Sequence, residues 1–112
     1  MHPVLEALII LHDLDVLLQE MESPNYKELG FKVSNRLMEL EKARKEITGR
    51  IPEDILKRYE KLRKKYRRGL APVIGGVCLN CFVHLPIAFV SQPGKNEELQ
   101  TCPNCGIFIY WA

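Results

Sequence analysis

The spacing of hydrophobic positions up to about residue 67 predicts three amphipathic helices. Apolar residues recur at intervals of three and four over about 4–22, again over about 26–48, and again over about 52–67. Ser23–Asn25 ends the first helix, and Gly49 ends the second. Because only a short turn joins the first two helices, we expect them to pack antiparallel as a helical hairpin.

From Leu70 onward the pattern changes to short apolar runs separated by Gly, Pro and Cys. Such runs are typical of strands joined by turns, and we expect them at Ala71–Val77, Leu85–Val90 and Ile107–Trp111. The fold class is therefore α+β. A helical, coiled-coil-like region over 1–69 is followed by a small antiparallel β region over 70–112.

Composition supports a globular protein. Of 112 residues, 46% are hydrophobic and 27% are charged. The chain has no stretch of about 18 or more uncharged apolar residues, so we expect no membrane partner. The opening segment lacks basic residues and carries Glu6, Asp13 and Asp15, which argues against a signal peptide. A cytoplasmic location follows as an expectation.

The cysteines form the strongest chemical signal. They occur as two CxxC pairs with 20 residues between them: Cys78, Cys81, Cys102 and Cys105. A CxxC turn directs two sulfurs to one point, and two such turns complete a tetrahedron of thiolates around zinc. We therefore predict one Zn²⁺ per chain, which makes 70–112 a C4 zinc ribbon. With all four positions filled by protein, the metal is structural.

Other uses of four cysteines fit less well. Two disulfides need an oxidising compartment, and a thioredoxin-type site needs a single CxxC on a helix after a strand. The spacing matches neither common ferredoxin pattern. No nucleophile–base set, phosphate loop or dinucleotide motif occurs, so we expect neither an enzyme nor a small-molecule substrate.

Charge is concentrated on the third helix. Residues 57–68 hold eight Lys or Arg against Glu60 alone, whereas 1–28 carry a net charge of −5. The basic residues could be a solvated face, or could pair with the acidic first helix. Alternatively they contact phosphates, which makes the segment a candidate RNA- or DNA-binding surface. The candidate residues for that role are Lys57, Arg58, Lys61, Arg63, Lys64, Arg67 and Arg68.

The first helix is apolar around much of its circumference, more than two short neighbours should cover. It is therefore a candidate surface for a protein partner or a second copy of the chain. The residues we assign to that surface are Leu5, Leu8, Ile9, Leu11 and His12.

The sequence also resembles a known family. The stretch IPEDILKRYEKLRKKYRRGLAPVIGGVCLNC, then Leu85-Pro86, then CPNCG and Tyr110 is similar to bacterial C4-type zinc-ribbon proteins with an N-terminal coiled-coil hairpin. The opening LEALIILHDLDVLLQEME resembles the first helix of that family. Here the hairpin is much shorter, Phe82 stands where the family commonly has His, and Ile107 stands where it commonly has Arg.

The resemblance implies an adaptor role, because family members act in flagellar or type III secretion assembly and some are linked to RNA binding. The expected function is thus a zinc-binding adaptor or regulatory protein that works through protein–protein interaction. The alternative is a nucleic-acid-binding module that uses the basic helix 57–68.

Overall fold

The computed structural model describes residues 1–21 and 31–112 and confirms the α+β class, with helices first and strands after them. The turn predicted at Ser23–Asn25 and the first residues of the second predicted helix lie outside the described residues. The elements, in chain order, are α1 (Pro3–Met21), α2 (Phe31–Thr48), α3 (Glu53–Tyr66), β1 (Leu70–Ile74), β2 (Val77–Cys78), α4 (Ile87–Val90), β3 (Gln100–Thr101) and β4 (Phe108–Trp111). Within these ranges no helix is long and apolar enough to cross a membrane.

The four strands form one mixed sheet in the order β2–β1–β4–β3. The outer pairs, β1 with β2 and β3 with β4, are antiparallel as expected. The central pair is parallel, with Leu70 beside Phe108 and Val73 beside Trp111. The expectation of a wholly antiparallel sheet is therefore corrected. Parallel neighbours need a long connection, and the segment between β1 and β4 is long enough to return the chain so that β4 runs in the same direction as β1.

One predicted strand is a helix. Over Leu85–Val90 the chain forms the single turn α4, in which the Val90 N–H donates to the Pro86 carbonyl at 3.1 Å. Pro86 has φ −55°, which suits the residue that precedes a helix and lacks a donor for a sheet. Only the segment before it follows the sheet, where His84 forms an antiparallel bridge with Val77.

Alternation along the central strands divides the interior into two clusters. Leu70 and Phe108 face the helices and join Leu5, Leu8 and Tyr59 in the first cluster. The next residues along each strand, Ala71 and Ile109, face the opposite side and pack with the buried cysteines in the second cluster. The helical region and the ribbon, distinguished in the sequence at residue 70, thus share the first cluster.

Two glycines lie just beyond helix ends and play different roles in the structure. α3 ends at Tyr66, and the left-handed residue that caps it is Arg67, with φ 64° and its N–H donating to the Arg63 carbonyl at 2.8 Å. Gly69 instead permits close packing, because a Cβ there would overlap the ring of Tyr59. Gly49 follows the end of α2 as predicted, and its N–H donates to the Lys45 carbonyl at 3.3 Å.

Candidate metal centre

The four cysteines meet at one point, with their sulfur atoms all within 4.8 Å of one another. The Cys78 and Cys105 Sγ atoms are 3.9 Å apart, and those of Cys81 and Cys102 are 3.8 Å apart. A tetrahedron with Zn–S bonds of about 2.3 Å has an edge of about 3.8 Å. Two of the sulfur pairs already have this spacing, so the group can hold one zinc ion and supply all four ligands of a structural site.

Two equivalent turns present these sulfurs. In the first knuckle (Cys78–Phe82) the Phe82 N–H donates to the Cys78 carbonyl at 2.8 Å. In the second knuckle (Cys102–Gly106) the Gly106 N–H donates to the Cys102 carbonyl at 2.9 Å. Both exit residues have positive φ, 60° for Phe82 and 79° for Gly106. The second knuckle thus uses glycine where the first holds a large side chain in the left-handed region.

The asparagine before the second cysteine of each pair supports the opposite knuckle. The Asn80 Nδ2 donates to the Cys105 Sγ at 3.4 Å, and a hydrogen bond from the Asn104 side chain lowers the pKa of Cys81. Donors aimed at sulfur stabilise the thiolate that a metal requires. We did not predict this exchange from sequence, although the shared Asn of CLNC and CPNC was a signal for it.

Burial and these donors shift the pKa values of three of the cysteine thiols in different directions. Desolvation raises the pKa of Cys78 to about 12, against N–H donors from Cys81 and Asn80, and it also raises the pKa of Cys102. Desolvation acts in the same direction on Cys81, but donors led by Asn104 outweigh it and lower that pKa to about 7. The metal position is thus surrounded by two buried cysteines, Cys78 and Cys102, and two partly exposed ones, Cys81 and Cys105.

Sequence reasoning missed a second polar cluster, which lies between the three long helices. The Asp15 carboxylate of α1 is almost fully buried and accepts from the Arg44 Nε at 2.7 Å and the Tyr59 hydroxyl at 2.8 Å. The Arg63 Nε lies 3.5 Å from it. Glu60 contacts both arginines at the outer edge. In the sequence, Asp15 counted only as one of three acids that argue against a signal peptide.

The predicted nucleic-acid residues do not form one surface. Arg63 turns inward to Asp15 and Glu60, which confirms pairing with the acidic first helix, and among the described residues no other member of the set pairs with α1. Arg58 lies 5.5 Å over the ring of Phe108, and Lys57 pairs with Glu53 at 3.3 Å. The exposed members of the set are Lys57, Arg58, Lys61, Lys64 and Arg67, and Arg68 is half-buried.

The predicted protein-interaction residues require a correction. Leu5, Leu8 and Leu11 have no exposed surface, because they form the centre of the chain's own core and offer nothing to a partner. Ile9 and His12 are half-buried. The large apolar side chains that α1 does expose are Ile10, Val16 and Leu17.

Comparisons with known proteins show the fold alone. No family model matches the chain, and no curated protein matches it. Among solved structures it is similar to CT398 from Chlamydia trachomatis, with 20% identity and a TM-score of 0.60 over 84% of this chain. It is also similar to the HP0958 protein from Helicobacter pylori, with 20% identity and a TM-score of 0.65 over 88% of this chain. The chain spans 42% of the length of each.

Proposed function

We propose that this chain is a cytoplasmic zinc-ribbon adaptor, in which the metal site holds an apolar surface for another protein. The observation that carries the proposal is Phe82. Its side chain is 72% exposed although it occupies the turn that orders the first knuckle. A large hydrophobic residue in that place contributes little to the core.

The backbone at Phe82 makes its exposure more informative. A side chain in the left-handed region costs roughly 1–2 kcal/mol, a cost that glycine does not carry. Gly106 occupies the equivalent position of the second knuckle, where a Cβ would meet nothing within 4 Å. Strain kept at an exposed position supports a role in recognition rather than in folding.

The residues that follow Phe82 in the chain also support an apolar interface. Val83 is 42% exposed and Ile87 is 84% exposed. Residues 69–94 contain no Asp, Glu, Lys or Arg, so this segment contributes no acidic side chain, lysine or arginine to the surface around these apolar residues. Exposed apolar surface of this kind is typical of contact sites. The resemblance to C4-type zinc-ribbon adaptors agrees with this role.

The test is photo-crosslinking in the cells that make the protein. A photoreactive phenylalanine analogue placed at Phe82 should give a discrete crosslink to one protein. The same analogue placed at Met38, which is 67% exposed on α2, is the matched control and should give none. Equal labelling from both positions, or crosslinks to nucleic acid alone, would contradict the proposal.

The variant Phe82→Gly separates recognition from folding. It should retain zinc and unfold at the same or a higher denaturant concentration, because glycine relieves the strain. It should nevertheless lose the crosslinked partner in a pull-down from the same cells. A clear loss of stability would instead assign Phe82 a structural role.

A second candidate function is nucleic-acid binding by the outer face of α3. Lys57, Lys61 and Lys64 recur there at intervals of four and three, and all are exposed. Phosphate contacts would make affinity for generic RNA or DNA fall steeply with salt. Changing Lys61 and Lys64 to Glu should then reduce the slope of log affinity against log salt by about 0.7–0.9 per lost contact. A Lys45→Glu change on α2 is the control.

A further inference from the structure

We propose that the groove between the two knuckles binds an extended segment of the partner protein in which a bulky apolar side chain stands beside carboxylates. This rests on the proposed adaptor function and assigns the chemistry of what the adaptor recognises. The site, called here the knuckle groove, is lined by residues that follow Phe82 in the chain and by two residues of the second knuckle. Its lining residues are Val83, His84, Leu85, Pro86, Pro103 and Asn104.

The walls of the knuckle groove fit an apolar side chain. Val83, Leu85 and Pro86 come from the exit of the first knuckle, and Pro103 comes from the second. The volume is about 230 Å³, smaller than a drug-sized pocket and suited to one or two side chains. Asn104 and His84 supply the only polar groups among the lining side chains. The zinc ligands fix both walls, so the groove is already formed.

The main chain of the first wall suits an extended ligand. The Cys78 N–H donates to the Val83 carbonyl at 3.2 Å, and the Leu85 N–H donates to the Gly76 carbonyl at 2.8 Å. In an antiparallel bridge of this type the intervening residue, His84, directs its own N–H and C=O away from the sheet. An added strand can pair with an edge of this kind, and Pro86 limits the pairing to a short stretch.

Charge identifies the flanks of that segment. The Tyr66 hydroxyl donates to the Cys105 carbonyl at 3.2 Å, which places the end of α3 against the second knuckle. The Lys65 Nζ lies 5.1 Å over the Tyr66 ring, which brings this cation to the second knuckle. Residues 61–96 contain no Asp or Glu, and no ion pair among the described residues uses Lys65. A ligand with carboxylates complements this side of the groove.

The same cation would attract phosphates, but the groove favours a peptide. Single-stranded nucleic acids bind through several bases stacked on aromatic rings, whereas Phe82 is a single exposed ring next to the knuckle groove, whose own lining side chains are aliphatic, proline, His and Asn. An aliphatic pocket beside a strand edge instead reads an apolar side chain within an extended main chain.

The experiment selects ligands from a phage library of random peptides on the zinc-loaded full chain. We expect enriched sequences that place a Leu, Ile, Phe or Val next to Asp or Glu. One enriched peptide is then measured by fluorescence anisotropy against three variants. Val83→Asp and Lys65→Glu should each weaken it by about tenfold or more, and Lys57→Glu, at the far end of α3, should leave it within about twofold.

Each outcome decides the inference. Enriched peptides without acidic residues, no enrichment at all, or equal losses in Lys65→Glu and Lys57→Glu would overturn it. Tight binding of a single-stranded RNA that does not displace the peptide from the groove at Val83 would instead assign Lys65 to nucleic-acid binding. Protein crosslinks from Phe82 with no peptide selection would reject this groove while the adaptor function stands. Peptide selection without any crosslink would support a peptide site in the groove and would contradict the adaptor function. Val83→Thr, which preserves shape, checks that Val83→Asp acts on binding and not on folding.

Discussion

The Asp15 side chain lies among the apolar side chains of α1, where hydrogen-bond and ion-pair partners compensate for its burial. Arg44, Tyr59 and Arg63 supply donors from two other helices. A buried charge pair contributes little net stability when formed, yet removing one partner leaves the others without compensation. The burial of Tyr59, and then the nearby Asp15 carboxylate, raise the pKa of its hydroxyl well above the usual value of 10.0.

We therefore expect Asp15→Ala to lower the free energy of unfolding by about 3 kcal/mol. The reason is that the Tyr59 hydroxyl and the Arg44 guanidinium lose their acceptor inside the protein. Asp13→Ala is the matched control, two residues away on the exposed side of α1, and should change stability by less than about 0.5 kcal/mol. Urea unfolding of the zinc-loaded proteins measures both. Similar losses in the two variants would show that the buried contacts add nothing.

His12 should make stability depend on pH. Burial, together with the Arg68 guanidinium, lowers its pKa below the ordinary 6.5, against the opposing charges of Asp13 and Asp15. The unfolded chain thus binds a proton that the folded chain resists, so this contribution is complete above about pH 6.5 and declines as the pH falls. His12→Gln should lose less stability than the parent between about pH 7.5 and 5.5 in urea titrations. Identical losses would contradict this assignment.

α3 shows how far local pattern predicts structure. Its apolar row set the helix to within one residue at each end, because a repeat near 3.6 depends only on neighbours in the chain. The same reasoning mistook Ile87–Val90 for a strand, since a short apolar run fits either state and Pro86 decided it. The partners of Asp15 were out of reach for a different reason: they come from helices whose packing the sequence pattern does not specify.

The contact between Gly69, three residues beyond α3, and Tyr59 in the middle of that helix gives the next expectation. Gly69→Ala should destabilise the protein by about 1–3 kcal/mol, because the added methyl overlaps the Tyr59 ring in a filled core. Gly49→Ala, where the nearest atom is a carbonyl oxygen at 3.4 Å, should be close to neutral. Thermal unfolding of both variants compares them directly. Equal melting temperatures would mean that Tyr59 moves aside without cost.

The molecule folds around two clusters that meet at the sheet, so its halves are not independent. Leu70 and Phe108 of the ribbon lie in the cluster of α1 and Tyr59, and Leu62 packs against both clusters. The cysteine spacing was enough to predict the metal and its ligands. The parallel pairing of β1 with β4 was not predictable, because strand direction depends on how the whole ribbon is covered by helices.

We expect removal of the metal to unfold the helices together with the sheet. Zinc binding by such sites supplies roughly 10 kcal/mol or more, comparable with the whole stability of a small domain. Circular dichroism would follow the helices and fluorescence of Trp111, the only tryptophan, would follow β4 while a chelator is added. The two signals should change together and recover on adding zinc. A helical signal that persists after the Trp111 signal has changed would refute the shared core.

The parallel pairing of β1 with β4 has a consequence for biosynthesis. A ribosome delivers α1, α2 and α3 well before Phe108, yet Phe108 covers the face of the helices beside Leu70. The last two metal ligands, Cys102 and Cys105, also emerge late. The nascent helices therefore wait with an open apolar face until translation of the chain reaches β4, and long-range contacts of this kind close slowly. During that interval the protein depends most on chaperones and on the supply of zinc.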